Sequence, residues 1–127
     1  MIITAIVPCY QEKRTIDQVL FQMSNQITSG FHLEILVIDG GSTDNSREIL
    51  KTYPGVKWIS EPDNSSGHAF AKGVELANGE VVYFLASSDG FYDPNWINTS
   101  VDLFCDHENI SLVSADVIGI RQSGTFN

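Results

Sequence analysis

Carboxylates and hydroxyls gather directly after short apolar runs at four places in the chain. These are residues 7–12 (Val-Pro-Cys-Tyr-Gln-Glu), 38–44 (Ile-Asp-Gly-Gly-Ser-Thr-Asp), 60–63 (Ser-Glu-Pro-Asp) and 86–90 (Ala-Ser-Ser-Asp-Gly). If the runs are strands of an open α/β sheet, the polar groups fall beyond the carboxyl ends, where such sheets bind ligands. Asp39 after the second run offers a carboxylate to a ring N–H. Asp89 after the fourth offers an oxygen ligand to a hard cation. A divalent ion there would bridge phosphate oxygens and neutralise a leaving diphosphate. Tyr10 offers an aromatic face to a base, and Glu12 a further acceptor. Each acid also has a plainer role. Asp39 can cap the turn at Gly40 and Gly41, Asp44 and Asp93 can cap helices, and Asp89 can serve an ordinary turn. Their joint placement at strand ends is what favours a site.

The elements that must position these groups are legible as periodicity. Residues 2–7 form a continuous apolar run that reads as a buried parallel strand stopped by Pro8. Ile16, Val19, Leu20, Met23 and Ile27 fall on one helical stripe that ends near Gly30. Residues 33–38, 56–60 and 81–85 read as further strands. A short helix is expected over 44–53, broken by Pro54 and Gly55. A longer one is expected over 66–78, with Ala69, Phe70, Val74 and Ala77 inward and Gly79 as its stop. Pro94 can open a last helix that turns Trp96, Ile97, Val101, Phe104 and Cys105 inward. Residues 110–120 suggest one or two more strands, and 116–127 a hairpin turning at 122–124. Alternating strands and helices imply right-handed crossovers and a mostly parallel sheet with helices on both faces. The expectation is a single domain over residues 1–127, incomplete at its carboxyl end.

Bulk properties exclude several classes. Sixteen acids against seven bases give a net charge of -9, which argues against nucleic acid as a partner. It also means that an anionic ligand needs a cation, a helix N-terminus or local bases. Cys9 and Cys105 have no metal spacing, and His32, His68 and His107 have none either. Reduced, packed thiols in a cytosolic setting are expected, although Cys9 lies beside the candidate site. No basic leader and no apolar run of about 20 residues is present. The glycine patterns of dinucleotide folds and P-loops, and the serine elbow of hydrolases, are missing as well.

Taken in order, Ile-Val-Pro-Cys-Tyr-Gln-Glu (residues 6–12), Val-Ile-Asp-Gly-Gly-Ser-Thr-Asp (37–44), Ser-Glu-Pro-Asp (60–63) with Gly67, Ala69, Lys72 and Gly73, and Ala-Asn-Gly-Glu-Val-Val-Tyr-Phe-Leu (77–85) carry a resemblance. The chain resembles the amino-terminal, nucleotide-sugar-binding portion of family 2 glycosyltransferases, which have the Rossmann-like GT-A fold. The resemblance implies an activated-sugar donor, a nucleoside diphosphate leaving group and inversion at the sugar carbon. It implies that Pro8, Tyr10, Glu12 and Asp39 cradle the nucleoside, with Gly67, Lys72 and Ser88 in the nucleotide-binding set. Asp89 would hold Mg2+ or Mn2+. The partners implied are a UDP- or other NDP-sugar and a glycan, lipid or protein acceptor. A cytoplasmic enzyme, with room for peripheral attachment to the inner membrane face or a homo-oligomer, fits the same picture.

Two departures stand out. The family usually carries Asp-x-Asp or Asp-Asp where this chain has Ala86-Ser87-Ser88-Asp89-Gly90. Counting from Gly79 puts Ser88 at the metal position, and counting back from Pro94 puts Asp89 there. Asp89 is favoured, since a carboxylate holds a hard cation better than a hydroxyl. No residue matches the family's acceptor-side base, and Asp116 is only a local substitute. A non-catalytic binding or assembly module is therefore a competing expectation. A receiver-like signalling domain fits less well, because Ser-Glu-Pro-Asp stands where its phosphoacceptor would be.

Overall fold

The computed structural model describes residues 1–86, 93–107, 109, 119–121 and 124–126. Four strands run parallel in one sheet: β1 (Ile2–Cys9), β2 (His32–Asp39), β3 (Lys57–Ser60) and β4 (Val81–Phe84), in the order β3-β2-β1-β4. Between and after them lie α1 (Ile16–Ser24), α2 (Ser46–Leu50), α3 (Ser66–Leu76) and α4 (Trp96–Asp106). The strands β5 (Gly119–Arg121) and β6 (Gly124–Phe126) form an antiparallel pair, the hairpin expected there.

Alternation along β1 and β2 divides the core in two. Ile3, Ala5, Val7 and Cys9 face one way with Ile35 and Val37, against Ile16, Val19, Leu20 and Met23 of α1, Leu50 of α2, and Ile97 and Val101 of α4. Ile6, Leu36 and Ile38 face the other way, against Ala69 and Phe70 of α3. Helices thus cover both faces, and two-sided burial is why these strands read as unbroken apolar runs. The Tyr83 hydroxyl pairs with that of Ser100, tying α4 to β4. Gln26, almost fully buried, accepts from the Ile97 N–H and donates to the Asp93 carbonyl, so the end of α1 supports the start of α4.

Several expectations need correction. Pro8 does not stop β1, which continues to Cys9. Even-numbered residues of β1 turn their backbone groups toward β4, as the Ile6 carbonyl accepting from Leu85 N–H illustrates. Pairing with β4 ends at Ile6, so the missing N–H of Pro8 costs no ladder bond. Ile27 lies beyond α1 and is exposed. On α3 the inward position is Gly73, while Val74 is half exposed. A Cβ at Gly73 would come within 2.3 Å of Ile6 Cγ2, so the helix approaches the sheet closely there. Gly79 is not a left-handed cap. Its N–H donates to Thr4 Oγ1, and a Cβ would sit 2.6 Å from the Thr4 nitrogen. Cys105 is exposed on α4 rather than inward.

At the amino end of the sheet, Glu34 is buried in a knot. Its carboxylate accepts from Thr4 Oγ1 (2.8 Å), Lys57 Nζ (2.7 Å), and the backbone and side-chain nitrogens of Asn78 (3.1 and 2.9 Å). Burial alone would raise its pKa, but these donors outweigh burial and hold it near about 2.

Candidate functional site

The carboxyl end of the sheet is built from three loops laced together. The first follows β1. Gln11 adopts a left-handed backbone (φ 55°), which is unfavourable for a residue with a Cβ. Its backbone N–H donates to Ser42 Oγ (2.9 Å) and its side-chain nitrogen to Thr43 Oγ1 (2.9 Å). Its side-chain oxygen accepts from the N–H groups of Thr43 (2.7 Å) and Asp44 (3.1 Å). Lys13 N–H adds a bond to the Asp44 carboxylate. These bonds offset the backbone strain and fix the β1 loop to the turn after β2. Tyr10, just before Gln11, is left 60% exposed at the crevice mouth.

The second loop follows β2 and is organised by Asp39. Strand register sets Cys9, Asp39 and Ser60 side by side across β1, β2 and β3. Asp39 is fully buried. Its Oδ2 accepts from Ser60 Oγ (2.7 Å), Ser42 N–H (2.9 Å) and Gly41 N–H (3.2 Å), and its Oδ1 from Ser42 Oγ (2.5 Å). Gly41 supplies the positive φ (89°) that the turn requires. The Asp44 carboxylate then accepts from Ser46 N–H at the start of α2. Its pKa is lowered: burial works against this, and bonds from Ser46 and Lys13 prevail. Cys9 is unreactive here, because burial first, and then the neighbouring Asp39 charge, push its thiol up to about 12.

The third loop joins β3 to α3. Glu61 N–H donates to the Asp39 carbonyl. Lys72 Nζ reaches back from α3 to the Pro62 carbonyl (3.1 Å) and the Glu61 carboxylate (3.0 Å). Ser65 caps α3 by accepting from His68 N–H, and His68 Nδ1 accepts from Asn64 N–H. Asp63, on this pinned loop, lies over Gly40. A Cβ at Gly40 would meet the Asp63 carboxylate at 3.0–3.2 Å. No hydrogen bond or ion pair from a described residue reaches that carboxylate, in contrast to Asp39.

The three loops enclose a crevice of about 820 Å³, lined by Pro8, Cys9, Tyr10, Glu12, Gly40, Gly41, Ala86 and the stretch 62–66 with Ala69. Pro8, Tyr10 and Glu12 line it. Asp39 lies behind the wall rather than in it. Lys72 is engaged with the β3–α3 loop, and Gly67 sits in the exposed first turn of α3. Ser88, Asp89 and Asp116 lie outside the described residues. Among the described residues no group of three or more His, Cys, Asp or Glu could hold a metal ion. Among the described residues, the lining side chains include two carboxylates, Glu12 and Asp63, and no Lys or Arg. Asp63 is the lining acid that sequence reasoning passed over. The signal was available, since Asp63 belongs to a polar cluster after an apolar run, as Asp39 does.

Comparison with known proteins agrees with this geometry. A family model described as glycosyl transferase family 2 matches residues 4–125. A PGL/p-HBAD biosynthesis glycosyltransferase of Mycobacterium bovis is 28% identical over 96% of this chain and 50% of its own length. An uncharacterized glycosyltransferase of Nostoc is 32% identical over 84% of this chain and 30% of its own. The chain thus spans half or less of the length of these relatives. Among solved structures, S. aureus TarS 1-349 in complex with UDP superimposes with a TM-score of 0.75 at 24% identity, over 85% of this chain and 33% of that one. The mannosyltransferase PcManGT of Pyrobaculum calidifontis, in complex with GDP-Man and Mn2+, gives 0.73 at 25% identity, over 82% and 32%. The fold is GT-A.

Proposed function

The chain belongs to glycosyl transferase family 2, and from that premise we propose that it forms the donor side of an inverting, metal-assisted enzyme that transfers a sugar from a nucleoside diphosphate sugar. The observation that carries this reading is the crevice at the carboxyl ends of β1, β2 and β3, lined by an exposed aromatic ring and by the carboxylates of Glu12 and Asp63. UDP- and GDP-linked sugars, after the UDP-GlcNAc and GDP-Man bound by similar folds, are the donor types we assign to it.

In this reading Tyr10 stacks on the base and Pro8 packs beside it. Gly40 and Gly41 let the ligand approach the backbone closely. Asp39 acts on the nucleoside through the turn it holds, and Lys72 through the loop it pins. Ser65, Ser66 and Gly67 place the amino end of α3 along the crevice, where backbone N–H groups favour a phosphate. A diphosphate in this crevice would add to the negative charge of Glu12 and Asp63, with no Lys or Arg among the described lining residues, so a divalent ion fits the charge balance. Asp89, with Ser88 beside it, would hold Mg2+ or Mn2+, whose chemistry is to neutralise charge on the departing diphosphate. The acceptor is a glycan, lipid or protein. No helix among the described residues is long and apolar enough to cross a membrane, and we assign the enzyme to the cytoplasm, at or near the membrane face.

Thermal melts of the full-length protein with UDP or GDP and Mn2+ test the proposal. A rise in Tm that needs both nucleotide and metal, together with sugar release from an NDP-sugar, is expected. Binding without turnover would instead favour the non-catalytic module that the single acid at 86–90 also permits. No shift with any nucleotide would end both readings.

A further inference from the structure

Resting on the donor-binding reading above, we propose that Asp63 selects the nucleobase, accepting a hydrogen bond from a ring imino N–H and so favouring uracil, thymine or guanine over cytosine and adenine. Asp39, behind the crevice wall, is fully buried and has four donors on its oxygens. Asp63 is only partly buried, lines the crevice and takes no donor from a described residue. A half-buried carboxylate without donors is costly unless something else supplies them.

Its position is held on two sides. Lys72 Nζ fixes the preceding Pro62 carbonyl at 3.1 Å, and the His68 bond fixes the following Asn64 N–H at 3.1 Å. Gly40 leaves the space into which the carboxylate projects, since any side chain there would start 3.0–3.2 Å from it. The absence of a side chain at 40 and the carboxylate at 63 therefore form one device. Tyr10, which also lines the crevice, supplies an aromatic face on which a base can stack.

An ionised carboxylate only accepts hydrogen bonds. Uracil and thymine present N3–H on their pairing edge, and guanine presents N1–H beside an amino group. Cytosine and adenine present a ring nitrogen lone pair at the equivalent atom, which the carboxylate repels. A charge-assisted bond on one side and an unpaired acceptor on the other should separate the two classes by on the order of ten- to a hundredfold.

The test is titration of the full-length protein with UDP, GDP, CDP and ADP at saturating Mn2+, repeated with Asp63→Asn and Gly40→Ala. The expected result is a preference for UDP or GDP over CDP and ADP of roughly tenfold or more. It should collapse to within about threefold in D63N, because an amide can donate as well as accept. G40A, which pushes the carboxylate aside without removing it, should weaken UDP or GDP binding more than it weakens CDP binding. Binding with the base ratio unchanged in D63N overturns this inference and leaves the donor reading intact. The same holds if D63N keeps the ratio and loses only its response to Mn2+. Failure of the unaltered protein to bind any of the four removes the donor reading and this inference together.

Discussion

Strand β2 carries a buried acid near each end, and the two ends of the sheet use them differently. Glu34 at the amino end joins β1, β3 and the α3–β4 connection, drawing on Thr4, Lys57 and Asn78. Nothing is left over for a ligand. Asp39 at the carboxyl end is equally saturated, but by its own turn and by Ser60. There the neighbouring loops leave Tyr10 exposed and Asp63 without a donor among the described residues. Burying and satisfying an acid builds scaffold, and the acid left unpaired beside a cavity is the one available to a ligand.

The largest expected effect breaks the carboxyl-end knot. Asp39→Ala strands two backbone N–H groups and two hydroxyls in a buried place and should cost about 3–5 kcal/mol, read from urea denaturation. Nucleotide affinity should fall with it as the turn loosens. An unchanged midpoint would mean that the turn holds itself.

Breaking the amino-end knot should cost somewhat less and leave the crevice alone. Glu34 is ionised in the fold down to about 2, against 4.5 in a free chain. A lowered pKa contributes stability that is complete above pH 4.5 and is lost as pH falls toward 2, on the order of 3 kcal/mol in all. Glu34→Gln should therefore flatten the acid limb of a stability–pH curve between pH 4.5 and 2. Nucleotide affinity at neutral pH should not change, and a change would show that the two ends are coupled.

Smaller effects sharpen the contrast at the carboxyl end itself. Gln11→Ala removes the amide that laces the first two loops but keeps the strained backbone, and should cost about 1–2 kcal/mol. Gln11→Gly loses the same bonds and relieves the strain, so it should melt above Q11A by thermal scan. Smallest is Lys72→Met. Its partner Glu61 is largely exposed, so the ion pair itself adds little. The lost bond to the Pro62 carbonyl should cost about 1 kcal/mol or less, detected as faster hydrogen exchange over 61–65 with little change in Tm.

Much of this architecture was legible as pattern. Unbroken apolar runs announced two-sided parallel strands, and the helical stripe from Ile16 to Met23 matched α1. The crevice lies where polar clusters after strands suggested. Pattern was weaker where a choice depended on the partner. Val74 and Gly73 are adjacent on α3, and hydropathy favoured the valine inward. The close approach of Ile6 admits only the glycine. Gly79 looked like a helix stop, but its smallness serves contact with Thr4. Pro8 looked like a strand end, and the short reach of β4 made it harmless.

By itself the sequence determined element types, the parallel class, and the end of the sheet at which polar loop residues gather. Those follow from periodicity and from the local preferences of Gly, Pro, Asp and Ser, which act within a few residues. Which acid became scaffold and which stayed open was decided only in three dimensions. Asp39 and Asp63 have the same side-chain chemistry, and both follow an apolar run that forms a strand. Their fates diverge because pairing of β3 with β2 brings Ser60 to Asp39, while the anchored β3–α3 loop hangs Asp63 over a residue with no side chain. Hydrogen-bond partners come from residues distant in sequence, and satisfaction of a buried charge is a property of the assembled site.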